Sequence, residues 1–193
     1  MSDADRQRWE TRYAAEATAA ERAPSEFLVA HADLIHGRVL DVAAGAGRNA
    51  LFLARRGNRV DAIDIAFAGL HQAMVAARAA GLDLRAVQAD LDSFPLPIAC
   101  YDAAINIRYL QRTLFRPLQR AVKPGGVVLF ETFVTSPQPA GHVRNPAFLL
   151  RRGELRAAFV GWELLVYEEG VVDTAGEPAE VARLLARRPP ERD

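Results

Sequence analysis

The sequence predicts an α/β fold in which a mostly parallel sheet carries helices on both faces. Short apolar runs alternate with segments of helical periodicity from Gly37 to about residue 135, as in successive βαβ units. The first run, residues 38–42, ends at the turn Gly45-Ala46-Gly47, and a helical segment follows directly. Because ligands of parallel sheets lie at the carboxyl ends of the strands, the functional site is expected at that edge.

Each predicted element follows from a local pattern. Two helices, at residues 3–20 and 27–35, precede the first strand, because Pro24 and Ser25 interrupt the helical periodicity between them. Later strands are predicted where apolar residues run together, at residues 60–65, 84–89, 101–107, 127–132 and 162–168. A long irregular segment follows the fifth strand, and residues 179–186 are ambiguous between strand and helix.

Length and composition fit one globular domain without an unusual charge. Of the 193 residues 50% are hydrophobic, and 24 lysines and arginines balance 24 aspartates and glutamates. This balance argues against a nucleic-acid backbone or an anionic membrane as partner. Cys100 is the only cysteine, so no internal disulfide is expected, and no Cys/His set has metal-ligand spacing. The polar start and the lack of a membrane-length apolar run predict a cytoplasmic protein.

Three signals lie where predicted strands end. The glycines of residues 41–49 permit positive φ, and the helix after them presents free N–H groups suited to a carboxylate or phosphate. Asp64 ends the second strand and suits the two hydroxyls of a ribose, although it also fits as a helix N-cap. Asp90 ends the third strand and fits either an adenine contact or a turn. Together they indicate a nucleotide-like cofactor.

Two details argue against a nicotinamide-dependent enzyme. Asp41 lies inside the first strand, where dinucleotide binders usually carry apolar residues. Neither a Tyr-x-x-x-Lys pair nor a second substrate domain for hydride chemistry is visible. Asp41 is instead placed to support the glycine loop or to reach the amino acid end of a cofactor.

The whole arrangement resembles the class I S-adenosylmethionine-dependent methyltransferases. The match covers roughly residues 35–135, through residues 39–47, Ala62-Ile63-Asp64, Ala89-Asp90-Leu91, Tyr101-Asp102 and Lys123-Pro124-Gly125-Gly126. Gly47-Arg48-Asn49 and residues 153–169 resemble the tellurite-resistance, thiopurine-type branch, although Ala44 stands where many of its members carry cysteine. The resemblance implies a Rossmann-like sheet of seven strands whose last, residues 179–186, is antiparallel.

The resemblance also implies S-adenosylmethionine as the cofactor and places residues around it. Gly45 and Gly47 would lie under the methionyl part, Asp64 on the ribose, and Asp90 with Leu91 at the adenine. Arg12 would hold the cofactor carboxylate, with Trp9 and Tyr13 closing a lid, although packing is the better interpretation of Trp9. The expected cofactor-binding set is Arg12, Asp41, Ala43, Gly45, Gly47, Asn49, Asp64, Ile65, Asp90, Leu91 and Asn106.

The acceptor pocket is expected beyond the fourth and fifth strands. Arg108, Arg112 and Arg144 predict a cationic pocket and hence a small anionic acceptor, because arginine pairs bidentately with carboxylates and oxyanions. His142 is the candidate general base. Two alternatives stay open, namely that each arginine forms a structural ion pair and that His142 only hydrogen-bonds backbone.

The sequence therefore predicts methyl transfer to a small molecule by a monomer or homodimer that uses no metal, nucleic acid or membrane. We expect one domain, residues 1–193, divided into an N-terminal helical lid (1–36), a cofactor-binding core (37–135), and a substrate loop with C-terminal strands (136–193). Two rivals remain, an NAD(P)-dependent oxidoreductase and a non-catalytic protein that binds S-adenosylmethionine without turnover.

Overall fold

The computed structural model describes residues 3–16, 19–135, 145–174 and 177–191. The strands in these ranges are β1 Arg38–Val42, β2 Arg59–Asp64, β3 Leu84–Gln88, β4 Tyr101–Ile107, β5 Val122–Phe133, β6 Glu163–Thr174 and β7 Glu177–Arg187. The α-helices are α1 Asp3–Ala15, α2 Glu26–Ala30, α3 Arg48–Arg55, α4 Phe67–Ala79, α5 Phe115–Ala121 and α6 Glu154–Ala158.

All seven strands join one sheet in the order β3-β2-β1-β4-β5-β7-β6. The first five pair in parallel, whereas β7 runs antiparallel to both β5 and β6. This arrangement confirms the predicted Rossmann-like fold and its antiparallel last strand. The strand order reverses between β1 and β4, where Val42 lies beside Asn106. A crevice at such a reversal is the usual ligand site of open α/β sheets.

Both faces of the sheet are buried, which explains the near-continuous apolar runs of its strands. Consecutive residues of β1 point to opposite cores: Val39 packs with the first, which includes Leu51 and Leu53 of α3, and Leu40 packs with the second, which includes Leu118 of α5. Each fully buried leucine contributes roughly 1.5–3 kcal/mol through apolar burial. The sheet is thus a rigid platform that fixes the carboxyl ends of its strands.

The structure corrects the predicted start of β5 and identifies the ambiguous C-terminal segment as a strand. Strand β5 begins at Val122 and not at Val127, because Val122 already pairs with Tyr101 before the register shifts to Ala103 and Val127. The turn Lys123-Pro124-Gly125-Gly126 is therefore an irregularity inside the strand. The C-terminal residues 179–186 belong to β7, and most are buried on both of its sides, which removes the period-two alternation that identifies a strand.

Gly47 is required where α3 begins, for two independent reasons. Its φ is +78°, and a Cβ built on it would lie 2.5 Å from Cβ of Ala73 in α4. We expect Gly47→Ala to lower the free energy of unfolding by about 2–5 kcal/mol, from αL strain of roughly 1–2 kcal/mol together with overpacking of about 1–3 kcal/mol. Urea unfolding measures this loss.

The matched control for this prediction is Gly81→Ala. Gly81 has a φ of +64°, and its Cβ would meet no atom within 4 Å. The control therefore carries the backbone strain alone, about 1–2 kcal/mol. Equal losses in the two variants would contradict the close packing of the glycine turn on α4.

Candidate functional site

Buried polar atoms without a hydrogen-bond partner mark the sheet edge at the strand reversal. Among the described residues, Asp41 Oδ2, Asn106 Oδ1 and Arg108 Nη1 are of this kind, and all three side chains belong to the carboxyl ends of β1 and β4. Leaving such groups unpaired costs about 1–3 kcal/mol each. Their convergence at one edge indicates a site built for a polar ligand.

Asp64, at the end of β2, is fixed by backbone donors. Its Oδ2 accepts the N–H of Gly45 at 2.8 Å, and its Oδ1 accepts the N–H of Ala66 at 2.8 Å. Burial raises the pKa of this carboxyl, while the backbone hydrogen bonds act in the opposite direction. The carboxylate keeps acceptor capacity beside these backbone hydrogen bonds, and its fixed orientation preorganises it to accept hydroxyls such as those of a ribose.

The glycine loop lies beneath Tyr13 of α1. A Cβ on Gly45 would lie within 2.2 Å of the Tyr13 hydroxyl, and a Cβ on Gly69 would lie 3.0 Å from the same ring. Burial, followed by the negative charge of Asp64, raises the pKa of Tyr13 to about 12, so its hydroxyl stays protonated. Because Gly45 and Gly69 have no side chains, the Tyr13 ring can pack directly on the glycine loop, where the methionyl part of the cofactor is predicted to lie.

Helix α1 is attached to α4 mainly by polar contacts. Glu10 accepts the N–H groups of Phe67 and Ala68 at 3.0 and 2.7 Å, and Gln72 donates to the Tyr13 carbonyl at 2.6 Å. Since α4 has no side-chain cap of its own, Glu10 supplies one from another helix. This contact was not predicted from the sequence, because capping signals are sought within a few residues of a helix.

The structure places Arg12 on the outer part of the same helix. Its guanidinium lies 5.2 Å from the centre of the Trp9 ring and pairs with Glu16 at 3.4 Å, and the side chain is about half exposed. Trp9 in turn stacks on Tyr13 at a centroid distance of 5.8 Å. Trp9 thus packs on Tyr13 within α1, and Arg12 lies over the Trp9 ring.

The carboxyl ends of β1, β2 and β4, with the residues that follow them, are here called the groove, and residues after β3 and β4 contact one another at its border. Gln111 donates to the Leu91 carbonyl at 3.1 Å and accepts the Tyr109 hydroxyl at 2.5 Å. Burial, and then the charges of Asp90 and Asp64, raise the pKa of Tyr109 to about 12. Tyr109 therefore lies near both acids that were expected to contact the nucleoside. Ile65 is buried beside them.

Asp41 is completely buried under the glycine loop. It accepts a backbone hydrogen bond from Ala50, and burial, with a smaller contribution from the charge of Asp64, raises its pKa to about 8. Asp41 is therefore largely protonated at neutral pH. The chain after it is strained, because Ala43 has a φ of 54°. Asn49 fixes the N-terminal segment to α3, since its Oδ1 accepts the N–H of Ser25 at 2.9 Å.

A charged group around the buried Glu131, here called the Glu131 cluster, comprises Glu131, Ser25 and the partly buried Arg108, Arg183 and Arg48. Glu131 accepts Arg108 Nε at 3.0 Å and Arg183 Nε at 2.7 Å, and it is 1% exposed. Arg48 donates to the Ala23 carbonyl at 3.0 Å, and its charge interacts with those of Arg108 and Glu131. Arg108 adopts a φ of +62° directly after β4. The cluster lies beside the glycine loop.

Arg112, a further predicted acceptor residue, is not part of this cluster. Arg112 pairs with Glu154 through two nitrogens, at 2.5 and 2.9 Å, and also donates to two backbone carbonyls of residues 147 and 149. His142 and Arg144 lie outside the described residues. Arg183 was missed, because the ambiguity of residues 179–186 gave no basis for placing its side chain. Asn106 donates to the Tyr109 carbonyl at 2.7 Å and so remains at the site.

The polar groups of the groove are of the kinds that S-adenosylmethionine requires. Asp64 offers fixed acceptor oxygens, and Asn106 Oδ1 and Asp41 Oδ2 are buried polar atoms without hydrogen-bond partners on the neighbouring strands β4 and β1. Tyr13 and Tyr109 provide two partly buried hydroxyls around them. None of the described helices combines the length and hydropathy needed to cross a bilayer.

Part of the chain is similar to known methyltransferases. Residues 39–126 match the family model for a methyltransferase domain. The chain is 30% identical over 166 residues to Hemagglutinin 1 of Eikenella corrodens, which covers 79% of this chain and 55% of that protein. It is 38% identical over 102 residues to an uncharacterized methyltransferase of Mycobacterium tuberculosis, which covers 50% of this chain and 51% of the relative.

A solved structure shares the fold over most of the chain. TehB from Haemophilus influenzae superposes with a TM-score of 0.74 at 20% identity, covering 84% of this chain and 61% of that one. The chain thus spans about half the length of the curated relatives it matches. The chain therefore shares the seven-stranded fold of TehB, and its residues 39–126, which include the glycine loop and strands β1 to β4, are similar to a methyltransferase domain.

Proposed function

We propose that this chain transfers a methyl group from S-adenosylmethionine to a small molecule that carries an anionic group. The observation that carries the proposal is the position of the Glu131 cluster beside the glycine loop. Arg108 and Arg183 share the buried carboxylate of Glu131 there, and Arg108 keeps a buried Nη1 without a hydrogen-bond partner. A guanidinium in that state favours a carboxylate or an oxyanion as ligand.

The residues of the groove would bind and orient the reactants. S-adenosylmethionine supplies the electrophilic methyl group when bound, and transfer is an in-line displacement. Asp64 would hold the ribose, and Tyr13 and Asn106 would enclose the methionyl end. Arg108 would hold the anionic group of the acceptor. Alignment of two bound reactants is worth roughly 7–11 kcal/mol, so positioning is the main contribution expected from the protein.

An anionic or soft nucleophile needs no proton removed before transfer. An acceptor with a protonated amine or hydroxyl needs a base, and we propose His142 for that case, on the segment after β5. Arg144 belongs to the same segment and is proposed as a further contact to the anion. Arg112 is proposed to position the chain that follows this segment, because it donates hydrogen bonds to the carbonyls of Ala147 and Leu149 and to the carboxylate of Glu154.

Substitution of Arg108 tests the proposal. Purified protein with S-adenosylmethionine is screened for S-adenosylhomocysteine formation against thiols, carboxylate-bearing metabolites and inorganic oxyanions. We expect Arg108→Gln to lower kcat/KM for the active acceptor about 10- to 100-fold, the equivalent of a charge-assisted hydrogen bond of roughly 1.5–3 kcal/mol. The Kd for S-adenosylhomocysteine should stay within a factor of about two.

The matched control is Arg38→Gln. Arg38 also pairs with a partly buried carboxylate, that of Asp61, but it lies at the opposite end of β1. The control should leave kcat/KM unchanged. Equal activity of the Arg108 variant and the wild type on every acceptor, or activity confined to uncharged acceptors, would contradict an anionic acceptor.

A further inference from the structure

Helix α1 carries a carboxylate that reaches the first turn of another helix. Glu10 Oε1 accepts the N–H of Phe67 at 3.0 Å, and Glu10 Oε2 accepts the N–H of Ala68 at 2.7 Å. The N–H just before them, that of Ala66, donates to Asp64 Oδ1 at 2.8 Å. Successive backbone donors at the start of α4 are thus divided between the predicted ribose acceptor and Glu10, so one turn of backbone fixes both carboxylates.

Tyr13 follows Glu10 by three residues on the same face of α1, and its ring contacts the glycine loop. A Cβ on Gly45 would overlap the Tyr13 hydroxyl, so this hydroxyl already lies against the backbone of the loop. The carbonyl of Tyr13 accepts a hydrogen bond from Gln72 of α4 at 2.6 Å. Glu10 and Gln72 therefore attach α1 to α4 at two points, and the attachment holds the ring of Tyr13 on the loop.

The attachment of α1 depends on these polar contacts because apolar burial contributes little to it. Of the residues Asp3–Ala15, all of which the structure describes, none is buried. A helix of 13 residues is only marginally stable in water without tertiary contacts. Glu10 makes two charge-assisted hydrogen bonds at the positive end of the α4 dipole, and the bond to Ala68 is partly shielded from water. We therefore expect Glu10 to supply much of the free energy that docks α1.

We propose that Glu10 is a positioning residue for cofactor binding, which acts through Tyr13 by holding α1 against the glycine loop. This inference rests on the proposed function, because it takes the groove as the site of S-adenosylmethionine. Tyr13 on the loop closes the predicted methionyl end of the groove, so the docked form of α1 binds the cofactor more tightly than the released form. By linkage, bound cofactor favours the docked form of α1 by the same factor.

The first measurement is the Kd for S-adenosylhomocysteine by titration calorimetry. Glu10→Ala should raise this Kd at least about fivefold. Glu10→Gln keeps one acceptor oxygen without the charge, so its Kd should lie between those of Glu10→Ala and the wild type. Asp3→Asn is the matched control, because it removes one negative charge from the same helix at a residue that pairs with Arg6 within α1. The control should bind as the wild type does.

Two further readouts separate positioning from a merely structural role. Tyr13→Ala should raise the Kd by itself, and adding Glu10→Ala to it should change the Kd by less than about twofold, because the group through which Glu10 acts is already gone. Hydrogen exchange of residues 3–15 should be faster in Glu10→Ala than in the wild type, and S-adenosylhomocysteine should slow it in the wild type. The midpoint of urea unfolding should be the same in both proteins.

The outcomes distinguish failure of this inference from failure of the proposed function. An unchanged or lower Kd in Glu10→Ala would overturn the inference, and so would substitutions of Glu10 and Tyr13 that raise the Kd independently of one another. Both results leave the proposed function standing, because the wild type still binds S-adenosylhomocysteine. A wild type that does not bind S-adenosylhomocysteine would overturn the proposed function and this inference with it.

Discussion

Substitution of Asp64 should abolish cofactor binding while the fold survives. The carboxylate is held by two backbone N–H groups at the groove and is suited to accept two ribose hydroxyls. Hydrogen bonds to a charged group are worth about 1.5–3 kcal/mol each, so their loss corresponds to an increase in Kd of roughly 100-fold or more. Isothermal titration of Asp64→Asn and Asp64→Ala with S-adenosylhomocysteine measures the change.

Asp61→Asn is the matched control for this prediction. Asp61 lies on the same strand and is also buried, but its carboxylate pairs with Arg38 away from the groove. It should lower stability and leave the Kd unchanged, which separates damage to β2 from loss of the ribose contact. An Asp64→Asn protein that binds like the wild type would show that the ribose lies elsewhere.

Stability without cofactor should fall as the pH rises from 5 to 8. The pKa of Asp41 is about 8 in the folded chain, well above the ordinary value of 3.8, because the carboxyl is completely buried. The folded state therefore holds a proton that the unfolded state releases, and stability is lost as the pH rises toward 8. At about 1.36 kcal/mol per pH unit the loss over this window approaches about 4 kcal/mol.

Asp41→Asn isolates this effect, because the amide keeps the shape of the side chain and never ionises. Urea unfolding at pH 5 and pH 8 should give a much smaller difference for the variant than for the wild type. Asp64 has a raised pKa too and contributes in the same direction. Asp102 and Glu154 have lowered pKa values, so their contributions are lost only at more acidic pH. Identical pH slopes in the two proteins would mean that Asp41 is ionised in the folded chain.

The sequence was sufficient for features with a local pattern. Strand β4 was predicted at the bounds observed, because its mostly apolar run lies between a proline-containing loop and the polar Arg108. Asp64 was correctly placed at the end of the second strand, and its role as a ribose acceptor stays a prediction from that position and its distance from the glycine turn. Both predictions depended on residues close together in the chain.

Contacts between residues that are far apart in the sequence could not be predicted from local patterns. Glu10 caps a helix that begins 57 residues later, and no capping rule spans that distance. Gly45 is small because Tyr13 packs on it, a contact across 32 positions that the glycine pattern alone does not contain. Arg183 reaches Glu131 only because β7 inserts between β5 and β6, and this pairing depends on the whole sheet.

Titration of the wild-type protein with S-adenosylhomocysteine and, separately, with NAD⁺ and NADP⁺ tests the central claim most directly. The account predicts saturable one-to-one binding of S-adenosylhomocysteine and no binding of either nicotinamide cofactor, because the buried Asp41 lies inside β1, where dinucleotide binders usually carry an apolar residue. Binding of a nicotinamide cofactor by well-folded protein that ignores S-adenosylhomocysteine would contradict it.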